Sequence, residues 1–223
     1  MNRSFIVMKS DNLPSTIQQI LISRRKKRIF QAMSKVTTKP GMKVIDIGCG
    51  IDGRSFEDFI PQNWQITGVD LKDSQEVHHT YPNFQYIQQN AHHLSQFAEK
   101  QFDLAVSIGL LEHVIEKEAF ENTVLEIRRV AKQHIVMVPA KYSWIEPHYG
   151  FPFFPLFPES IQEFLVKTFN LSNMRESVKQ HPGIIKKGII WRSNKEYQKA
   201  FPESKIYLTP TLEQIMIVKK DTL

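Results

Sequence analysis

The stretch Val44-Ile45-Asp46-Ile47-Gly48-Cys49-Gly50-Ile51-Asp52-Gly53 constrains this chain more than any other. KVIDIG (43–48) is a short, nearly continuous apolar run, the pattern of a parallel strand covered on both faces. The run leads straight into Gly48, Gly50 and Gly53, where backbone without side chains can come close to a ligand. A strand feeding a glycine loop is the opening unit of a doubly wound sheet, provided a helix follows.

The rest of the sequence supports that frame. Apolar runs recur at 65–71 (QITGVDL), 84–89 (FQYIQQ), 103–109 (DLAVSIG) and 134–140 (HIVMVPA), at intervals that leave room for helices. Between the last two, LLEHVIEKEAFENTVLEIRRVA (110–131) has the length and mixed periodicity of a helix with a break. Residues 15–36 read as an N-terminal helix. Ser15 and Gln18 fit a capping box there, and Ile17, Ile20, Leu21, Ile29, Met33 and Val36 form a broken apolar stripe. Beyond residue 140 the pattern changes. PESIQEFLVKTF (158–169) looks helical, while KIYLTP (205–210) and QIMIVKK (214–220) lie too close together for a helical crossover and predict an antiparallel hairpin. The expected fold is therefore α/β, a Rossmann-like doubly wound sheet, mostly parallel, with a C-terminal antiparallel hairpin. A length of 223 residues suits a single domain of this kind, with a core at 40–140 and a ligand-facing part at 141–223.

Composition narrows the surroundings. No run approaches the ~20 apolar residues that span a bilayer. The start, MNRSFIVMKSDNLP, has only a brief apolar run (Phe5 to Met8) and no small-residue cleavage site, so a cytoplasmic protein is expected. Cys49 is the only cysteine, which leaves neither an intrachain disulfide nor a multi-cysteine zinc site. The pairs His78-His79 and His92-His93 are sequence neighbours whose side chains point apart, and no metal site is expected from them. Much of the net charge of +6 sits in Arg24-Arg25-Lys26-Lys27-Arg28. This reads first as the solvated face of a helix, and second as a patch for an anionic partner. Aromatics are not interleaved with it, so a nucleic acid is not favoured.

The glycine loop itself has two readings. Gly48-Cys49-Gly50-Ile51-Asp52-Gly53 fits G-x-G-x-x-G, and Asp70 follows Gly50 at the ~20-residue spacing of an acid that meets a ribose hydroxyl. A nicotinamide-dependent oxidoreductase is thus one reading. Three features favour another. Asp46 stands two residues before Gly48, where a pyrophosphate would meet like charge. Gln89-Asn90-Ala91 follows the third strand, and Phe102 to Val114 runs F-D-L-A-V-S-I-G-L-L-E-H-V.

Together these motifs closely resemble those of the class I S-adenosylmethionine-dependent methyltransferases, of the type 11-like kind, over residues 40–140 and more loosely through the terminal hairpin. One departure is Asp52, where that family often has a third glycine; here Gly53 comes one place later. The resemblance implies S-adenosyl-L-methionine as cofactor. It places Asp46, Gly48, Cys49 and Gly50 about the methionine portion, Asp70 and Leu71 at the ribose, Asn90 and Ala91 at the adenine, and Ser107 at the end of the fourth strand. A non-catalytic domain of the same fold remains a distant alternative.

Sulfonium methyl transfer is an in-line displacement that depends mainly on alignment, and a general base helps only where the acceptor must lose a proton. Acceptor-side residues are expected beyond the fifth strand, in the aromatic and proline-rich segment 139–158. Glu146, His148 and Tyr149 are its polar groups, with His148 the first candidate for a catalytic base and His113 the second. The rings of Phe151, Phe153, Phe154 and Phe157 either wall an acceptor or pack the loop onto the core. A small or medium acceptor (a sugar, lipid or secondary metabolite) is expected, with RNA or protein as the alternative.

Overall fold

In the computed structural model the chain is described for residues 15–50, 56, 60–78, 81–209 and 214–220, side chains of 15–22 and Arg25 excepted. The run after Pro40-Gly41 forms strand β1 (Lys43–Ile47), and the later apolar runs form β2 (Gln65–Asp70), β3 (Phe84–Gln88), β4 (Phe102–Ile108) and β5 (Ala131–Pro139). After an intervening segment come β8 (Lys205–Leu208) and β9 (Gln214–Lys219). They assemble in the order β3-β2-β1-β4-β5-β9-β8. All pairs from β3 to β5 are parallel, whereas β9 pairs antiparallel with both β5 and β8. The expected topology, terminal hairpin included, is the one observed.

Alternation along the strands explains why the sheet needs cover on both sides. Ile45, Ile47, Val136, Val138, Ile215 and Ile217 point to one face. They pack under Phe120, Val124, Ile127 and Val130 of helix α2 (Lys117–Val130) and under Tyr197 and Phe201. Val44, Leu104, Val106, Ile135, Met137 and Met216 point to the other face. Ile29 and Ala32 of α1 (Ser15–Met33), with Val36, Phe56 and Trp64, cover that side. Burying such a side chain contributes roughly 1.5–3 kcal/mol, so the two apolar layers fix the sheet between them.

Two boundaries differ from expectation. The helix expected from residue 110 starts only at Lys117, because 110–113 form a turn gripped by distant residues. Strand β5 begins at Ala131, directly on the end of α2, three residues before the apolar run suggests. The segment between β5 and β8 also carries more structure than its sequence announces. It contains a short hairpin of β6 (Ile145–Glu146) and β7 (Phe151–Pro152) and four helices: α3 (Glu159–Phe169), α4 (Arg175–Gln180), α5 (Ile184–Gly188) and α6 (Asn194–Ala200). Tyr149, Phe154, Val166, Val178, Ile185 and Ile189 give this cap a small core of its own. The capping box at Ser15, the apolar positions Ile17, Ile20 and Leu21, Gly53 and the leader-like start lie outside the described residues or side chains. No helix among the described residues is long and apolar enough to cross a membrane.

Candidate active site

Strand order reverses direction between β1 and β4, and in an open α/β sheet ligands sit beyond the carboxyl ends of the strands at such a switch. The residues expected at a donor site converge there. Asp46, fully buried, is the last residue but one of β1, in register with Gly68 and Val106. The chain then turns through Gly48 (φ +81°) and Gly50 (φ +72°), a backbone region that L side chains rarely adopt. A Cβ on Gly48 would also meet Leu110 at 3.0 Å, so two constraints demand glycine there. At Gly50 no atom of the described residues lies within 4 Å of where a Cβ would stand. Cys49 is buried, its sulfur 3.5 Å from the Gly50 carbonyl.

Asp70 ties two strand ends together. Its Oδ2 accepts from the Gly50 amide at 3.0 Å, and its Oδ1 accepts from the amides of Leu71 (2.7 Å) and Lys72 (3.3 Å). It caps no α-helix: the single 3₁₀ turn that follows, Ser74–Glu76, is capped by Asp73. Tyr86, which the sequence does not single out, donates to the Lys72 carbonyl at 2.6 Å and to the Asp70 carbonyl at 3.2 Å, bracing that turn from β3. Leu71 is exposed beside Asp70. Asn90 and Ala91 follow β3 on the same side. The Asn90 side-chain oxygen accepts from the His92 amide at 3.3 Å, and Ala91 packs against the core. Ser107 is buried near the end of β4, its hydroxyl without a hydrogen-bond partner among the described residues.

The cap carries the residues expected on the acceptor side. Glu146 is wholly buried and accepts from three donors: His148 Nδ1 at 2.7 Å, the Tyr149 amide at 2.8 Å and Trp191 Nε1 at 3.2 Å. Three hydrogen bonds on one carboxylate hold it in place and fix the His148 ring. The Ser172 hydroxyl donates to the His148 carbonyl. Burial works against a charged His148, but the hydrogen bond it donates to Glu146 prevails and holds its pKa above the ordinary histidine value. His113 stands against it, ring centroids 5.4 Å apart and nearly perpendicular, with Nδ1 2.9 Å from the Gly188 carbonyl. Burial lowers the His113 pKa. Glu112, also buried, faces His148 with Oε1 3.8 Å from Nε2, and burial pushes its carboxyl up to about 7.

The two histidines named from sequence are therefore brought together, and they gain a carboxylate the sequence did not single out for chemistry. Glu112, His113 and His148 form one cluster of groups able to hold a metal ion, in which the neighbours Glu112 and His113 meet His148 from 35 positions on, rather than one built on the adjacent histidine pairs. Arg192 is the other missed residue. Its guanidinium donates to the carbonyls of Leu111 (2.9 Å) and Val114 (2.8 Å) and stacks 3.8 Å over Phe120, clamping the turn that carries Glu112 and His113. No local signal reveals a partner about eighty positions away. The aromatic segment divides. Phe154 and Tyr149 are buried and stacked at 4.1 Å, while Tyr142, Trp144 and Phe153 are exposed. The Tyr149 hydroxyl, set against Met174 Sδ, belongs to the cap interior.

A seven-stranded sheet in this order, closed by an antiparallel pair and carrying a glycine loop and an acid at its first two strand ends, is the class I methyltransferase fold. Residues 45–137 match the family model described as a methyltransferase domain. Two uncharacterized proteins of Mycobacterium tuberculosis are each 31% identical over 97 residues, 43% of this chain, and the aligned part spans 29% of their length. A TehB-like SAM-dependent methyltransferase from Corynebacterium glutamicum superposes with a TM-score of 0.50 at 15% identity, covering 89% of this chain and 88% of its own. Magnesium protoporphyrin IX methyltransferase from Synechocystis, solved with bound SAH, superposes with a TM-score of 0.52 at 13% identity, covering 88% and 81%.

Proposed function

We propose that this protein transfers the methyl group of S-adenosylmethionine to a small or medium acceptor such as a sugar, lipid or secondary metabolite. The observation that carries the reading is the junction of Gly50 with Asp70: the glycine loop after β1 is tied to the acid ending β2. Asp46, Gly48, Cys49 and Gly50 line the loop for the methionine portion, Asp70 and Leu71 face the ribose, Asn90 and Ala91 face the adenine, and Ser107 supports the floor. Among the described residues Asp70 Oδ2 accepts one hydrogen bond, from the Gly50 amide, so it retains capacity for a ribose hydroxyl while it holds the loop. When bound, the sulfonium donor supplies an already activated methyl group.

On the acceptor side, His148 is the base of the protein as it stands, oriented by Glu146, with His113 packed against it. Exposed Tyr142, Trp144 and Phe153 offer apolar surface to an acceptor. Calorimetry should find binding of S-adenosylmethionine and S-adenosylhomocysteine and none of nicotinamide dinucleotides. Tight dinucleotide binding without heat from either sulfur ligand would return the chain to the oxidoreductases.

A polyanionic acceptor is the second reading, motivated by the exposed side chains of Arg24, Lys26 and Lys27 on α1. Turnover of a small acceptor should fall roughly 10²- to 10⁴-fold in His148→Ala with donor affinity unchanged. Replacing Arg24, Lys26 and Lys27 together by Gln should leave it within a few-fold. The opposite ranking, with activity falling steeply as salt is added, would indicate RNA or another polyanion.

A further inference from the structure

Glu112, His113 and His148 each present one donor atom, and these atoms lie within 4.8 Å of one another. The 3.8 Å between His148 Nε2 and Glu112 Oε1 is too long for a hydrogen bond. It is the separation of two ligands on one ion, since bonds of about 2.0–2.2 Å to a common centre set donor atoms roughly 3 to 4 Å apart. Both imidazoles are held by their other nitrogen. The Gly188 carbonyl can only accept, so His113 Nδ1 carries its proton, and the Glu146 oxygen that accepts at 2.7 Å from His148 Nδ1 sets the same tautomer on His148. Nε2 is then the lone-pair nitrogen of each ring. A carboxylate or carbonyl behind a ligating histidine is the usual support of a metal site. Glu146 is itself fixed by Trp191 and by the Tyr149 amide, so the support is rigid. Glu112 is 1% exposed, and its Oε2 has no hydrogen-bond partner among the described residues. A buried carboxyl left in that state is costly unless something positive meets it.

We propose that Glu112, His113 and His148 bind a divalent transition-metal ion, of the zinc, iron, cobalt or manganese type, on the acceptor side of the site. Two imidazoles and one carboxylate suit these ions better than magnesium or calcium, which prefer oxygen alone. Three protein ligands leave at least one position open, and a hydroxyl of the acceptor fits there. For its consequence the proposal rests on the methyl-transfer reading. A hydroxyl on the ion loses its proton to solvent more readily. Its oxygen then forms the new O–C bond as the S–C bond breaks, and the electron pair stays on sulfur in a neutral thioether. His148 becomes a ligand in that state, and the ion replaces it in activating the acceptor.

The test uses chelator-stripped protein titrated with Co²⁺, followed by its visible d–d absorption, with Zn²⁺ in competition. Wild type should bind one equivalent with a band stronger than that of the aqueous ion. Glu112→Gln and His148→Asn should weaken binding at least 100-fold, and Glu146→Gln, which alters only the support, about 10- to 100-fold. Binding of S-adenosylhomocysteine to the same variants, measured by calorimetry, should persist and shows that they fold. Absence of a saturable band in wild type overturns the metal site. An unchanged band in both Glu112→Gln and His148→Asn overturns it equally, by placing the ion elsewhere. Co²⁺ binding at the cluster without any binding of S-adenosylhomocysteine would uphold the metal site and remove the methyl-transfer reading.

Discussion

Asp70 shows how much one side chain does in this site. A carboxylate that already holds the amides of Gly50 and Leu71 both shapes the loop and faces the expected ribose. Asp70→Ala should cost about 2 to 4 kcal/mol of donor affinity, because charge-assisted hydrogen bonds disappear from both tasks. Asp70→Asn should lose less, since its amide oxygen still accepts. Calorimetry with S-adenosylhomocysteine measures both, and unaltered affinity in a folded Asp70→Ala protein would remove Asp70 from the donor site. Gly48, Gly50 and Asp70 are readable in the sequence because their roles follow from short-range spacing and backbone conformation. Glu112 is not. Its neighbours His148 and Glu146 lie more than thirty residues on, and only the packed cap brings them within a few ångströms.

At the scale of elements, the turn at 110–114 is the piece on which the glycine loop and the cap meet. It supplies Leu110 against Gly48 and Glu112 and His113 toward the cap. Its conformation is imposed from the segment 188–192, through Arg192, the Ile190 amide on the Glu112 carbonyl (2.8 Å) and the Gly188 carbonyl on His113. This tertiary grip is why α2 starts at Lys117 although the preceding residues are good helix formers. Arg192→Ala leaves two carbonyls without their donor and removes a cation–π contact, so urea unfolding should report a loss of about 2 to 4 kcal/mol. Arg192→Lys should recover little of it, because an ammonium cannot reproduce the forked pair of hydrogen bonds. Equal stability of wild type and Arg192→Ala would mean that the turn holds itself.

For the whole molecule, His134 links stability to pH. It lies wholly buried on β5 with Nε2 2.7 Å from the Ser204 hydroxyl, among Glu203, Lys219, Arg128 and Lys100, and burial pushes its pKa down to about 4. The unfolded chain takes up that proton near pH 6.5 and the folded one only near 4, so His134 favours folding fully above about 6.5 and progressively less as pH falls toward 4. The loss across this window is of order 3 kcal/mol. Glu112, raised to about 7, acts in the opposite sense over an overlapping range. The informative quantity is therefore the stability of wild type minus that of His134→Gln, from urea unfolding between pH 4 and 7.5. It should fall with decreasing pH, and a flat difference would contradict the assignment. What the sequence determined alone is the seven strands of the main sheet, their mostly parallel run with a terminal antiparallel hairpin, and the glycine loop. Period-two burial and positive-φ glycines are local properties, written within a few neighbouring residues. Tertiary structure alone decided the cap, the Arg192 clamp and the Glu112–His113–His148 cluster. Those contacts join residues tens of positions apart, and their geometry exists only once the sheet and both its layers have closed.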